Sequence, residues 1–101
     1  AQVTKFLEEW SRSAREGNYD LHRELGFPES EAEFRERYGH SKVALQFRVI
    51  EQKPWAGNFV ALHVQQTLSF EQAGASKRSE AERHLVLRKS PAGLRFAGSR
   101  N

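Results

Sequence analysis

Residues 58–72 read "NFVALHVQQTLSFEQ". Val60, Leu62, Val64, Leu68 and Phe70 fall on alternate positions, the pattern of a strand with one apolar face. Gln66 stands on that row where a core residue belongs. It is either a buried structural amide or the polar floor of a ligand pocket. Upstream, Val43, Leu45, Phe47 and Val49 alternate with Ala44, Gln46 and Arg48, and "KPWAGN" reads as a turn. Downstream, "AGAS" is a turn, a third strand is expected near 78–89, "SPAG" is the last turn, and Leu94–Ser99 is the fourth strand. Consecutive strands joined by short turns make an antiparallel meander.

Before His40 the period is that of a helix. Val3, Phe6, Leu7, Trp10 and Ala14 follow i, i+3, i+4 spacing over residues 2–16, and Gly17-Asn18 suits a left-handed C-cap. Tyr19–Leu25 is a short second helix, ended by Gly26 and Pro28. In "PESEAEFRERYG" Ser30 and Glu33 have the spacing of a capping box, and Gly39 stops the helix. Its apolar stripe is thin: Ala32, Phe34 and Tyr38. The expectation is one α+β domain over residues 1–101, with three helices on one face of a four-stranded antiparallel sheet.

Composition bounds the function. Hydrophobic residues are 38% and charged residues 29%, as in a globular domain. No run approaches the roughly 20 apolar residues of a membrane span. No secretory leader pattern is visible; the chain opens on Ala1, which suits a processed chain or a domain of a longer one. With no cysteine, disulfides and thiolate metal sites are excluded. The net charge of +3 is mild, and "REGNYDLHRE" and "EAEFRERY" interleave both signs, unlike the basic stripe of a nucleic-acid binder.

Turn positions suggest a register. Phe47 is set opposite Val64, Val49 opposite Leu62, and Val43 opposite Leu68. Across the next pair Val64 meets Leu85, Leu62 meets Leu87, and Glu71 meets Arg78. In the last pair Leu87 meets Phe96. Arg83 then lies beside Gln66 on the inner face, where two polar neighbours could hold a carboxylate or carbonyl. The structural reading of Gln66 is favoured, with the row interrupted by a bulge or Arg83 reaching solvent past the sheet end.

The whole pattern resembles the nuclear transport factor 2-like, or SnoaL-like, family. "FLEEWSRSAREGNYD" is similar to its opening helix and turn, and "LHVQQTLSFEQ", "KRSEAERHLVLRK" and "SPAGLRF" to its last three strands. The nearest likeness is to C-terminal domains of bacterial cell-envelope proteins that carry L,D-transpeptidase or tetratricopeptide-repeat segments. The resemblance implies a strongly curved sheet forming a cone, and a periplasmic or envelope location, with the cytoplasm as alternative. There is no room for the hairpin that many members insert between the second and third helices, and Phe96 replaces the usual closing Trp. The family hosts isomerases, cyclases, dehydratases and non-catalytic modules, so it does not by itself assign an activity.

Catalysis of the isomerase kind needs a carboxylate base in the cone and an oxyanion donor. Asp20, the only aspartate, is read as a helix cap, and Glu71, Glu80 and Glu82 belong to the outer sheet face. No catalytic residue is assigned. Tyr19 and Tyr38 are candidate donors into a pocket, though both also suit helix–sheet packing. His63 and His84 share the outer face but are expected to pair with Val86 and Gln65 rather than each other, so no metal site and no cofactor are expected. The outer row Ala61, His63, Gln65, Thr67 and Ser69 carries little charge. With Phe59, residues His63, Gln65 and Thr67 are the candidate interface. The reading is a non-catalytic binding or assembly module that takes a partner protein or a second copy through the sheet. Its cone is expected to be filled by Phe6, Trp10, Phe34, Phe47 and Phe96. The alternatives are a small enzyme acting on an apolar carbonyl substrate, with Gln66, Arg83, Tyr19 and Tyr38 at its site, and a module that binds a small organic acid.

Overall fold

The first helix is stopped by a device that also starts the second. In the computed structural model, which describes residues 2–100 (Arg100 by its backbone alone), α1 spans Gln2–Glu16. Gly17 has φ 65°. Its N–H donates to the Ala14 carbonyl at 3.4 Å, and that of Asn18 to the Ser13 carbonyl at 2.9 Å. These are the paired bonds of a Schellman motif. The Asn18 side chain then accepts from the Leu21 N–H at 3.1 Å and caps α2 (Tyr19–Glu24). The cap is therefore Asn18 and not Asp20, which is exposed in the first turn of α2, where a carboxylate complements the helix dipole. Helix α3 (Glu31–Tyr38) opens on the expected capping box between Ser30 and Glu33. It buries Phe34 and Tyr38, while Ala32 is exposed.

The sheet has the order β1-β2-β3-β4, with β1 Ser41–Pro54, β2 Phe59–Gln72, β3 Ala75–Ser90 and β4 Gly93–Arg100. Three helices and this antiparallel sheet form the α+β architecture that the change of period implied.

The register differs from expectation by two residues in both of the first two pairs. Phe47 is opposite Gln66 and Val49 opposite Val64, while Val43 falls within an irregularity between Ser41 and Ala44. Leu62 is opposite Leu85, Val64 opposite Arg83, and Glu71 opposite Ser76. In the first pair β1 runs on to Pro54, opposite Val60, where a turn was expected from Lys53. In the second pair the turn is the cause. Only Ala73 and Gly74 separate β2 from β3, at φ 54° and 77°, both positive as in a type I′ turn. "AGAS" as a four-residue loop would have set the pairs two further along. An even slip keeps every side chain on its face, so the apolar row survives. A bulge at Ile50 changes which residues of β1 face inward, from Phe47 and Val49 before it to Gln52 after it. Leu87 meets Phe96 as expected.

The core lies between α1 and the inner sheet face. Leu62, Val64, Leu85 and Leu87 are each at most 2% exposed, as is Trp10 at 1%. The Trp10 ring packs 4.6 Å from both Phe27 and Phe47, and Phe27 lies 4.7 Å from Phe96. Phe6, Trp10 and Phe34 are fully buried as expected, but Phe47 and Phe96 are only partly so. Phe27, from the loop after α2, supplies the link between Trp10 and β4. That loop is stitched to the sheet by the Phe96 N–H, which donates to the Leu25 carbonyl at 2.6 Å.

Candidate functional site

Gln66 and Arg83 do meet, though by a diagonal rather than a direct pair. Gln66 is opposite Ala81, and Arg83 Nη1 reaches back to donate to Gln66 Oε1 at 3.2 Å. The guanidinium lies 5.9 Å from the centre of the Trp10 ring, a cation–π distance. Both side chains are half-buried. Among the described residues Arg83 has no ion pair, so most of its fan of donors has no protein acceptor.

Tyr19 and Tyr38 belong to a second group, on the helical side. The Tyr19 hydroxyl donates to the Glu29 carbonyl at 2.9 Å. Tyr38 is 2% exposed, and its buried hydroxyl has no hydrogen-bond partner among the described residues. Its ring packs edge-on to Phe34 at 5.3 Å and to His22 at 6.1 Å. No hydrogen bond, ion pair or ring contact among the described residues joins either tyrosine to Gln66 or Arg83.

His22 is the centre of this second group, and periodicity did not single it out. It is 1% exposed, stacked 4.5 Å from Phe27 and packed 4.8 Å from Phe34. Its Nε2 lies 3.5 Å from a Glu29 carboxylate oxygen, whose other oxygen accepts from Arg37 at 3.2 Å. Burial pushes the imidazole below its ordinary pKa; the Glu29 carboxylate pulls the other way and the Arg37 cation adds to the fall. Desolvation outweighs the attraction, so His22 is a neutral ring beside a carboxylate that Arg37 already neutralises. The only sequence signal was its place next to Leu21 on the buried side of a short, charged helix.

On the outer face β2 presents Phe59, Ala61, His63, Gln65, Thr67 and Ser69. Here the two-residue slip has a direct consequence: His63 is opposite His84, and their rings stack at 4.0 Å. The expectation that they pair elsewhere is overturned by the tight Ala73–Gly74 turn. Glu82 approaches His63 Nε2 at 3.6 Å. Among the described residues, no group of three or more metal-binding side chains converges. Gln65 accepts from Arg48 at 2.7 Å, and Thr67 stands between Gln46 and Glu80. The row of β2 itself is uncharged, but charged side chains of β1 and β3 flank it. Phe59 is 37% exposed at its end.

A groove of about 1160 Å³ runs between α1 and β1, lined by Lys5, Glu8, Arg12, Leu45, Phe47 and Val49 among others. Neither Gln66, Arg83, Tyr19 nor Tyr38 lines it. Comparison with protein families, curated proteins and solved structures gave no match.

Proposed function

We propose that this chain is a non-catalytic binding or assembly module, and that it receives a partner protein or a second copy on the sheet face turned away from the helices. The observation that carries the reading is the division of the sheet. Its inner face is spent on the core, with Leu62, Val64, Leu85 and Leu87 closed under Trp10 and Phe27. The outer row offers half-buried, uncharged side chains at His63, Gln65 and Thr67, with Phe59 exposed at one end. The cores of protein interfaces are depleted in charged residues, which suits this row as a contact surface. The family likeness adds the proposal of a nuclear transport factor 2-like module in a bacterial envelope protein.

An isomerase or cyclase would need a carboxylate base facing the interior. Among the described residues no carboxylate is fully buried, and Glu29, beside the core, is paired with Arg37. The binding reading is therefore preferred. The free donors of Arg83 favour one further reading, a small organic acid held against Gln66. Thermal melts with a panel of small carboxylic acids test it: a rise in melting temperature that Gln66→Leu removes supports it, and no rise sinks it.

The main reading is tested by sedimentation of the wild type and of Thr67→Arg from low to high micromolar concentration. Concentration-dependent association that Thr67→Arg abolishes supports the outer face as the contact. A wild type that stays monomeric removes the self-association version.

A further inference from the structure

Strand β3 outruns its neighbour. It pairs with β2 from Ala75 to Arg88, but with β4 only from His84 to Ser90. Among the described residues, no strand pairs with the other edge of Ala75–Arg83. Residues 75–82 are all exposed. Such an edge offers a row of backbone donors and acceptors to any strand laid beside it, and natural proteins guard it with charge.

The charges on this edge are sorted rather than mixed. Lys77 and Arg78 precede Ser79; Glu80 and Glu82 follow it. A strand that is basic in one half and acidic in the other repels a parallel copy and attracts an antiparallel one. We propose that a second copy of this chain pairs antiparallel with this edge, about a two-fold axis at Ser79. In that register Arg78 lies opposite Glu80 of the second copy, twice, and Lys77 lies opposite Ala81. The Arg78–Glu80 ion pair within one chain, at 3.1 Å, then becomes part of a four-membered ring of alternating charge. Other registers fail. Side chains must stay on their own face, so only even shifts are allowed, and each moves the axis by one residue. An axis at Arg78 sets that arginine against itself. One at Glu80 does the same for glutamate, and one at Ala81 sets Glu80 against Glu82. An axis at Lys77 sets lysine on lysine.

The pairing joins two four-stranded sheets edge to edge. Both helical layers fall on one side, and the two outer faces run together on the other. This contact is distinct from the outer-face docking proposed above and stands or falls without it. Exposed ion pairs contribute little energy, and salt screens them. The association is therefore weak and salt-sensitive, with the charges choosing the register.

The chain has no cysteine, so single-cysteine variants report the contact cleanly. Directly opposed residues in an antiparallel pair have Cα atoms about 4.5–5.5 Å apart, within the range a disulfide spans. Ser79→Cys should give a disulfide-linked dimer under mild oxidation, in far higher yield than Ala32→Cys, whose position on α3 is exposed and belongs to neither contact. A second arm uses charge. Arg78→Glu and Glu80→Arg should each weaken association several-fold, and an equimolar mixture of the two should restore it as a heterodimer. Equal yields from both cysteines, or no recovery on mixing, would overturn the proposal. Association lost in Thr67→Arg but kept in Arg78→Glu would assign the contact to the outer face instead.

Discussion

The half-buried guanidinium of Arg83 is held by one hydrogen bond to Gln66 and by the Trp10 ring. Removing the acceptor alone leaves a charged donor without its partner, whereas replacing both removes the demand. Gln66→Leu should therefore cost about 1–2 kcal/mol in urea denaturation, and Gln66→Leu with Arg83→Leu should recover most of that loss. Additive losses would mean that the two side chains do not interact. Trp10→Ala should cost about 3–5 kcal/mol, since it empties the centre of the ring cluster; a loss under about 1 kcal/mol would contradict that position. For His22 the folded-state pKa lies below the unfolded value of about 6.5, so the unfolded chain takes up the proton first. Its contribution to stability is complete above about pH 6.5 and is lost as pH falls through the folded value. Between about pH 7.5 and about pH 5 the wild type should lose more stability than His22→Phe, which keeps the aromatic stack and has nothing to protonate. Equal losses would place His22 in water. The contact between Arg83 and Gln66 was legible in the sequence because face alternation survives an even slip. His22 was not, because a histidine in a short charged helix looks like a surface residue until Phe27 and Phe34 close over it.

The type and order of each helix and strand followed from periodicity and caps, because alternation and the i, i+3, i+4 stripe are local; the turns are shorter than expected, with β1 running on to Pro54 and β3 starting at Ala75. Register depended on the turns, and between β2 and β3 a single residue misled. Type I′ turns favour Asn-Gly or Gly-Gly, and Ala73 gives no such signal although it holds φ 54°. An L-residue in that conformation is strained by about 1–2 kcal/mol. Ala73→Asn should raise stability by about 1 kcal/mol, measured as a higher urea midpoint with unchanged slope. A lower midpoint would show that the turn is of another type. Gly26 is the counterpart between helix layer and sheet. At φ 101°, a Cβ there would come within 2.6 Å of the Phe96 carbonyl oxygen. Gly26→Ala should cost more than about 1 kcal/mol and loosen α2 from β4, seen as faster amide exchange at Phe96. Unchanged exchange would mean that this close approach is not what fixes the helix layer.

At the scale of the molecule, the helices cover the inner sheet face around Leu62, Val64, Leu85 and Leu87, and among the described residues the outer face and the sheet edges, the overhang of β3 included, have no paired strand. Arg83 holds Gln66 at a half-buried position beside Trp10, and the groove beside α1 carries both signs of charge on an open surface. The candidate interface was legible as an uncharged row on β2. The glutamates Glu80 and Glu82 that flank it were read onto the same face, but the stacking of His63 on His84 was not, because it depends on which residues the adjoining strand brings alongside. The most direct test is a concentration series of ¹H–¹⁵N spectra on the intact chain. Shifts are expected in the sheet alone, at His63, Gln65 and Thr67 and along residues 75–82, with the amides of α1 and of the inner row unmoved. Shifts centred on the α1–β1 groove, or no shifts up to high micromolar concentration, would contradict it.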